Sequence, residues 1–236
     1  MANEQEERTQ FGPSTSLGEM PRCSDRDASA YPRLPVSDEC SDRADQSDLA
    51  IVGNSVSGLR ETASGVAAQG IFIDNQGGGS AQGRVAGNTV SDIQSNFGAI
   101  GILIQVSDVS VTNNRIRGLH GLFAQGLNYT VTGGVNGRAE LNTLEDISGS
   151  KFPGEGVKID SGGVSSLELT QNNLLPPVGI NSVVSEELNA ECNYWGSPSG
   201  PEPVGNGSEV IGNVDFRPWS IGRIGNGRGS TCRGGQ

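Results

Sequence analysis

Residues 109–119, VSVTNNRIRGL, contain the pattern that decides the fold. Apolar side chains stand five and three residues before Asn114, and two and five residues after it. A similar arrangement recurs in LAIVGNSVSGL, GRVAGNTVSDI, GRAELNTLEDI and LELTQNNLLPP, at residues 49–59, 83–93, 137–147 and 167–177. In the second and third of these a glycine stands five residues before the asparagine, and the last lacks the final apolar residue. A sixth asparagine follows near the end of the chain. The anchors of the repeat are therefore Asn54, Asn88, Asn114, Asn142, Asn172 and Asn193.

A second element follows each of the first five anchors. It consists of a glycine and an apolar residue, in the pairs Gly70-Ile71, Gly101-Ile102, Gly126-Leu127, Gly156-Val157 and Gly179-Ile180. Alternation at a spacing of two predicts short β-strands. The long period of about 28 residues favours stacking, because one repeat cannot bury its own apolar face.

Stacked repeats place aliphatic columns inside and the asparagines in one ladder. A buried amide is costly unless it is paired, and a ladder lets each amide donate to the next coil. We therefore predict an all-β fold, a single-stranded parallel β-helix of about six coils, in preference to an antiparallel sandwich.

Composition supports a repetitive fold with three regions. Of 236 residues, 33% are hydrophobic, 5% are aromatic and 36 are glycine, which is unusual for a conventional globular core. Residues 1–48 hold 11 acids, 5 arginines and several prolines, and we predict a disordered or loosely attached segment. The solenoid is assigned to residues 49–219. Residues 220–236, rich in glycine and arginine, are predicted to be a flexible tail.

Charge and hydropathy exclude several classes of function. The net charge of −11 argues against nonspecific nucleic-acid binding and against docking on anionic lipid. No apolar run is long enough for a membrane span, so we predict no membrane insertion. Residues 1–10, MANEQEERTQ, do not have the pattern of a signal peptide, which leaves secretion open.

The cysteines and the one histidine predict no metal site and no cofactor. No CxxC motif occurs, and His120 alone is too little for a common zinc site. Cys23 and Cys40 either form a disulfide or remain free thiols, and the pairing of Cys192 and Cys232 is left open.

The repeats GNSVSGL, GNTVSDI, NNRIRGL and LNTLEDI resemble the parallel β-helix repeats of the pectin-lyase-like superfamily. The segments NYWGSPSGP, residues 193–201, and GNVDFRPW, residues 212–219, resemble the closing coil of such proteins. The resemblance implies a right-handed coil and a secreted or cell-surface location. It does not select a function, because this superfamily includes lyases, hydrolases, epimerases, adhesins, tail spikes and copper-enzyme maturation factors.

The closing segment concentrates three of the eleven aromatic residues, Trp195, Phe216 and Trp219. A solenoid end exposes apolar side chains and unpaired strands, so it must be capped. We predict that these three side chains form the cap, and a sugar-stacking platform is the alternative.

The known polysaccharide enzymes of this superfamily carry motifs that are missing here. There is no Asp-Asp pair, no Gly-His-Gly and no Asp-Pro-His. We therefore assign no catalytic residue, and keep Asp92, His120 and Asp146 only as a patch that a carbohydrate enzyme could use. The two aspartates would be two coils apart, about 9.6 Å, near the upper limit for an inverting glycosidase pair. Arg117 and Glu145 are the candidate ligand contacts, and would otherwise form an exposed ion pair.

Two further sets of residues receive simpler interpretations. Asp74 and Asp160 share a position four residues after their glycines and are predicted to be solvated turn residues. The sequons Asn128-Tyr129-Thr130 and Asn206-Gly207-Ser208 are glycosylation sites only in a secreted chain, and Asn206 is the better candidate.

The leading hypothesis is a non-enzymatic, secreted or cell-surface β-helix that acts as a binding, adhesive or structural rod. Its partner would be a polysaccharide or a cell-surface glycan, and the oligomeric state is left open. The alternative is a polysaccharide lyase or glycoside hydrolase of the same superfamily, in active or degenerate form. A maturation factor for copper enzymes ranks third, because one His and two Met residues supply few soft ligands.

Overall fold

The computed structural model describes residues 48–74, 82–131, 134–161, 164–225 and 232. They belong to one compact unit and form nineteen β-strands, with no helix that could span a membrane. The predicted N-terminal segment lies outside the described residues, except for its last residue, where the first strand begins.

In chain order the strands are β1 (Asp48–Val52), β2 (Ser55–Ser57), β3 (Arg60–Glu61), β4 (Ala67–Ile73), β5 (Gln82–Ala86), β6 (Thr89–Ser95), β7 (Gly98–Ile104), β8 (Val109–Thr112), β9 (Arg115–Gly121), β10 (Phe123–Thr130), β11 (Val135–Glu140), β12 (Thr143–Gly149), β13 (Glu155–Ser161), β14 (Val164–Thr170), β15 (Asn173–Leu174), β16 (Val178–Ser182), β17 (Leu188–Asn189), β18 (Glu209–Ile211) and β19 (Val214–Asp215).

The strands form three parallel sheets that stack as a β-solenoid. Sheet 1 has the order β1-β5-β8-β11-β14-β17-β19, sheet 2 has the order β18-β16-β13-β10-β7-β4, and sheet 3 has the order β15-β12-β9-β6-β2, with β3 also paired to β6. The predicted fold class is confirmed, with about five turns rather than six. The difference arises at Asn193, which is followed by an isolated bridge from Tyr194 to Asn173 rather than by a strand.

Register places equivalent side chains directly above one another. Val85, Val111 and Ala139 are paired in sheet 1, and Val90, Ile116 and Leu144 are paired in sheet 3. All of them are buried in one continuous core. Each fully buried aliphatic side chain contributes about 1.5–3 kcal/mol, so the columns stabilise the stack coil by coil.

The bend between sheets 1 and 3 depends on the residue before each anchor. All six of these residues have a positive φ: Gly53, Gly87, Asn113, Leu141, Gln171 and Cys192, with φ from 55° to 70°. The left-handed conformation turns the chain sharply and directs the following asparagine into the core. Only two of the six are glycines, so the stacked structure must compensate for the local strain at the others.

The six anchor asparagines form a hydrogen-bonded ladder inside this bend. In the first five, the Nδ2 donates to the Oδ1 of the next asparagine at 2.9–3.1 Å. That Oδ1 also accepts the backbone N–H of the preceding asparagine at 2.8–3.0 Å. From Asn88 onward the Nδ2 donates in addition to a backbone carbonyl, as Asn114 does to Val85 at 2.9 Å. The buried amides are therefore satisfied.

The C-terminal end of the solenoid is closed by aromatic side chains. Trp195 is fully buried and lies against Gly179, where an added Cβ would be 2.8 Å from its ring. Phe216 packs between the two tryptophans, with ring centroids 6.4 Å from Trp195 and 6.5 Å from Trp219. These three residues thus cover the last aliphatic layer, and β18 and β19 add its final strands.

The chain continues as packed structure beyond residue 219. Ile224 is buried, and its backbone N–H and C=O both bond to the side chain of Asn173, at 2.8 and 3.0 Å. A disulfide joins Cys192 to Cys232. Residues 220–225 are therefore held against the solenoid rather than forming part of a flexible tail. Cys23 and Cys40 lie outside the described residues.

Tyr129 is the one phenol in the core, and its environment gives a prediction about stability. Its side chain is fully buried, and its hydroxyl has no hydrogen-bond partner among the described residues. Burial raises the pKa of this phenol. Replacing Tyr129→Phe should therefore increase the free energy of unfolding by about 1 kcal/mol at neutral pH, since an unsatisfied group is removed.

The same replacement should change the alkaline stability profile. Above about pH 10 the phenol ionises in the unfolded chain but stays neutral in the fold, so the wild-type chain loses about 1.4 kcal/mol per pH unit from this group. The Tyr129→Phe variant lacks that loss. The urea midpoints of the variant and of the wild-type chain should therefore move further apart as the pH rises from 9 to 11. A difference that does not change with pH would contradict the burial of a neutral phenol.

Candidate functional site

Sheet 2 carries a cluster of polar side chains on its outer face. In β10 and β13, inward aliphatic or aromatic residues alternate with Asn128 and Lys158, which are paired in register. Lys158 is in turn paired with Asn181 of β16. Three residues earlier, Gln125 is paired with Glu155. Together with Asp160, these five residues form what we call the polar cluster.

Hydrogen bonds join the members of the polar cluster into one network. Gln125 donates from Nε2 to Glu155 Oε2 at 2.7 Å, and Asn181 donates from Nδ2 to Glu155 Oε1 at 2.5 Å. Asn128 donates from Nδ2 to Gln125 Oε1 at 2.6 Å and to Asp160 Oδ2 at 3.3 Å. The network fixes the orientation of the amides and presents carboxylate oxygens at the surface.

One ammonium group stands between the two carboxylates. Lys158 Nζ lies 4.0 Å from Glu155 Oε1 and 3.5 Å from Asp160 Oδ1. The side chains of Lys158 and Glu155 are only 13% and 14% exposed, whereas that of Asp160 is 39% exposed. Because the side chains of Lys158 and Glu155 are largely shielded from solvent, the attraction between them is screened less than in an exposed ion pair.

A bulge explains why Asp160 reaches the cluster. Tyr129 is paired with Ile159, but the next pair is Thr130 with Ser161, so Asp160 is an extra residue in β13. Bulges re-aim side chains in this way. Asp160 is exposed, as predicted, but it stands in β13 rather than in a turn, and the bulge means that it is not equivalent to Asp74.

Apolar side chains flank the polar cluster and make it a groove of about 570 Å³. Its apolar lining includes Phe123, Phe152, Ile100 and Ile211. Phe152 is 53% exposed, and Phe123 is braced by an edge-to-face contact with Phe97 at 5.3 Å. The groove therefore combines a flat apolar surface with fixed polar atoms, which is typical of small-molecule and glycan sites.

The patch predicted from sequence lies on sheet 3 and its bend. Asp92 and Asp146 have φ of 54° and 51°, in the same column as Gly58 and Gly118, whose φ values are 74° and 67°. Aspartate tolerates this left-handed conformation better than most residues, which accounts for its presence in this column. His120 is exposed, and its Nδ1 lies 2.7 Å from Ser148 Oγ.

The predicted ligand contacts are arranged differently from expectation. Arg117 and Glu145 are paired in register, but the carboxylate of Glu145 bonds to Arg115 at 2.5 and 3.1 Å. Arg223 approaches the same carboxylate at 3.6 Å. Glu145 therefore helps to hold the C-terminal segment, and no contact joins it to the polar cluster among the residues described.

The two sequons differ in their surroundings. Asn128 is buried, and its Oδ1 accepts the Thr130 hydroxyl at 2.7 Å, so a glycan cannot be attached there in the folded chain. Asn206 is exposed in the loop before β18, while Ser208 of the same sequon is buried and bonds to the Leu174 carbonyl. Among the residues described, no group of three His, Cys, Asp or Glu side chains could hold a metal ion.

Comparison of the chain with protein-family models, with curated proteins and with solved structures finds no match. The fold and the site geometry are therefore the observations from which a function is argued.

Proposed function

We propose that the protein is a glycan-binding β-helix of the pectin-lyase-like type, with a right-handed coil, that acts outside the cell or on its surface without catalysing a reaction. The groove in which Phe123 and Phe152 flank the polar cluster is the observation that carries the proposal. Sugars present hydroxyl groups at their edges and C–H groups on their faces. Planar amides and carboxylates match the edges, and exposed phenyl rings match the faces.

The geometry of sheet 2 also suits a linear ligand. Asn128, Lys158 and Asn181 repeat at the spacing of neighbouring strands, about 4.8 Å. A chain of sugars that lies across the strands would therefore meet one polar side chain per coil. These three polar side chains stand on paired strands, so little ordering of them is needed on binding.

Binding should depend on Phe152 and not on an equally exposed apolar residue of another sheet. Val52 is 52% exposed, close to the 53% of Phe152, and lies on β1 of sheet 1, outside the groove. In calorimetric titrations with soluble glycans, Phe152→Ala should weaken binding about tenfold or more, while Val52→Ala leaves it unchanged. Equal loss in both variants, or in neither, would contradict a glycan site at this groove.

A polysaccharide lyase or glycoside hydrolase is the second candidate function. It is favoured by the presence of two carboxylates, Glu155 and Asp160, on either side of Lys158 in one groove. The same glycan mixtures, analysed for new reducing ends and unsaturated products, distinguish the two functions. The binding function predicts that neither product accumulates.

A further inference from the structure

Each amide side chain of the polar cluster donates at least one hydrogen bond within the cluster. The amide groups of Gln125, Asn128 and Asn181 each donate to another member of the cluster, and Asn128 does so twice. Lys158 Nζ lies against both carboxylates. The carboxylates of Glu155 and Asp160 offer a ligand acceptor oxygen, because an ionised carboxylate accepts at up to about four positions and donates at none.

The charge of the groove points in the same direction. Glu155 and Asp160 contribute two negative charges and Lys158 one positive charge, and no other charged side chain lines the groove among the residues described. Lys151 stands nearby, with its Nζ 5.4 Å from the centroid of the Phe152 ring, but it is exposed to solvent and so is strongly screened. The local charge is therefore −1, in a chain whose net charge is −11.

We propose that the groove selects neutral, hydroxyl-rich glycans and rejects polyuronates and other anionic polysaccharides. This inference rests on the proposed glycan-binding function and narrows its ligand class. Neutral sugars supply the hydroxyl donors that the carboxylate oxygens of Glu155 and Asp160 can accept. The carboxylate of a uronic acid is itself only an acceptor, and it would meet two like charges in a groove whose one ammonium group, Lys158, already lies between Glu155 and Asp160. The resemblance to pectin-degrading proteins would have suggested the opposite preference.

The test compares a neutral galactan with polygalacturonate at low and physiological salt, by calorimetric titration of the full chain. We expect the neutral polymer to bind at least tenfold more tightly, with a difference that shrinks as salt is added. Asp160→Asn and Glu155→Gln should each bind polygalacturonate more tightly. The ratio of the two polymers' affinities should therefore fall at least threefold in each variant. Glu168→Gln, which removes an exposed carboxylate from sheet 1, is the matched control and should not change it.

The outcomes separate this inference from the function on which it rests. Polygalacturonate that binds as tightly as the neutral polymer, and that loses affinity in Phe152→Ala, would overturn the ligand class while keeping the glycan site. Failure of both polymers to bind, or binding that Phe152→Ala leaves intact, would overturn the proposed function as well. If Glu155→Gln does not fold, Asp160→Asn carries the test, because Asp160 is the more exposed of the two.

Discussion

Replacing Asn114→Asp should destabilise the protein by about 3–5 kcal/mol at neutral pH, because it places an unpaired charge in the buried ladder. The Nδ2 of Asn114 donates to Asn142 Oδ1 at 3.0 Å and to the Val85 carbonyl at 2.9 Å. A carboxylate oxygen at that place would face two acceptors and could donate to neither. The measurement is the free energy of unfolding from urea titration at pH 7, compared with the wild-type chain.

The neighbouring residue supplies the control for this replacement. Asn113 is exposed and has a φ of 56°, which aspartate also accepts, so Asn113→Asp makes the same change of charge outside the ladder. It should alter stability by less than about 0.5 kcal/mol. Similar losses from the two replacements would mean that the ladder is not sealed from water.

Acid should partly rescue the ladder variant. Burial beside two acceptors raises the pKa of the new carboxyl, and the protonated form can donate one hydrogen bond. The loss of unfolding free energy in Asn114→Asp, relative to the wild-type chain, is therefore smallest below about pH 4, where the new carboxyl is also protonated in the unfolded chain. Above that pH the loss grows by up to about 1.4 kcal/mol per pH unit. A deficit that is constant between pH 3 and pH 7 would indicate that the carboxylate reaches solvent.

Much of the fold was predictable because the repeat restricts both backbone and side chain at the same positions. The columns through Val111 and Ile116 must be apolar in every coil, and the asparagine column needs an amide in every coil, so their residue types recur in the sequence. The bend before each anchor was not predictable in this way. Leu141 and Gln171 adopt a conformation that their residue types disfavour, and only the stacked neighbours require it.

The candidate site was missed for a related physical reason. Outward positions need no common residue type, so Phe72, Asn128 and Lys158 share one column of sheet 2 without any sequence pattern to mark it. Asp160 was misplaced because a single inserted residue shifts the register, and the repeat spacing does not reveal which residue is the insertion. A usable signal was the rarity of lysine: Lys158 is one of only two, and Glu155 and Asp160 flank it.

Asp92 and Asp146 occupy equivalent positions of alternate coils, which is why they were kept as a patch that a carbohydrate enzyme could use. Gly118 fills the same column in the coil between them, and Gly58 fills it in the coil before Asp92. What these four residues share is tolerance of a left-handed backbone, not an ionisable group. In solenoids, equivalent acids should therefore be compared with the residues between them before a chemical role is assigned.

Replacing Trp195→Ala should destabilise the protein by about 3–5 kcal/mol, the usual cost of removing a buried aromatic side chain. Trp195 is fully buried between Gly179 and Phe216, and it covers the last aliphatic layer of the stack. Its loss should leave a cavity and open the C-terminal end of the solenoid to water and to other chains. Urea unfolding should show the lower stability, and light scattering should show association that increases with concentration.

The control is Phe152→Ala, which removes an aromatic side chain that is 53% exposed. It should change neither the urea midpoint nor the association. The contrary result would be a Trp195→Ala variant with the wild-type urea midpoint and no added association. It would mean that other side chains cap the C-terminal end, because removing a capping side chain must expose the end of the stack.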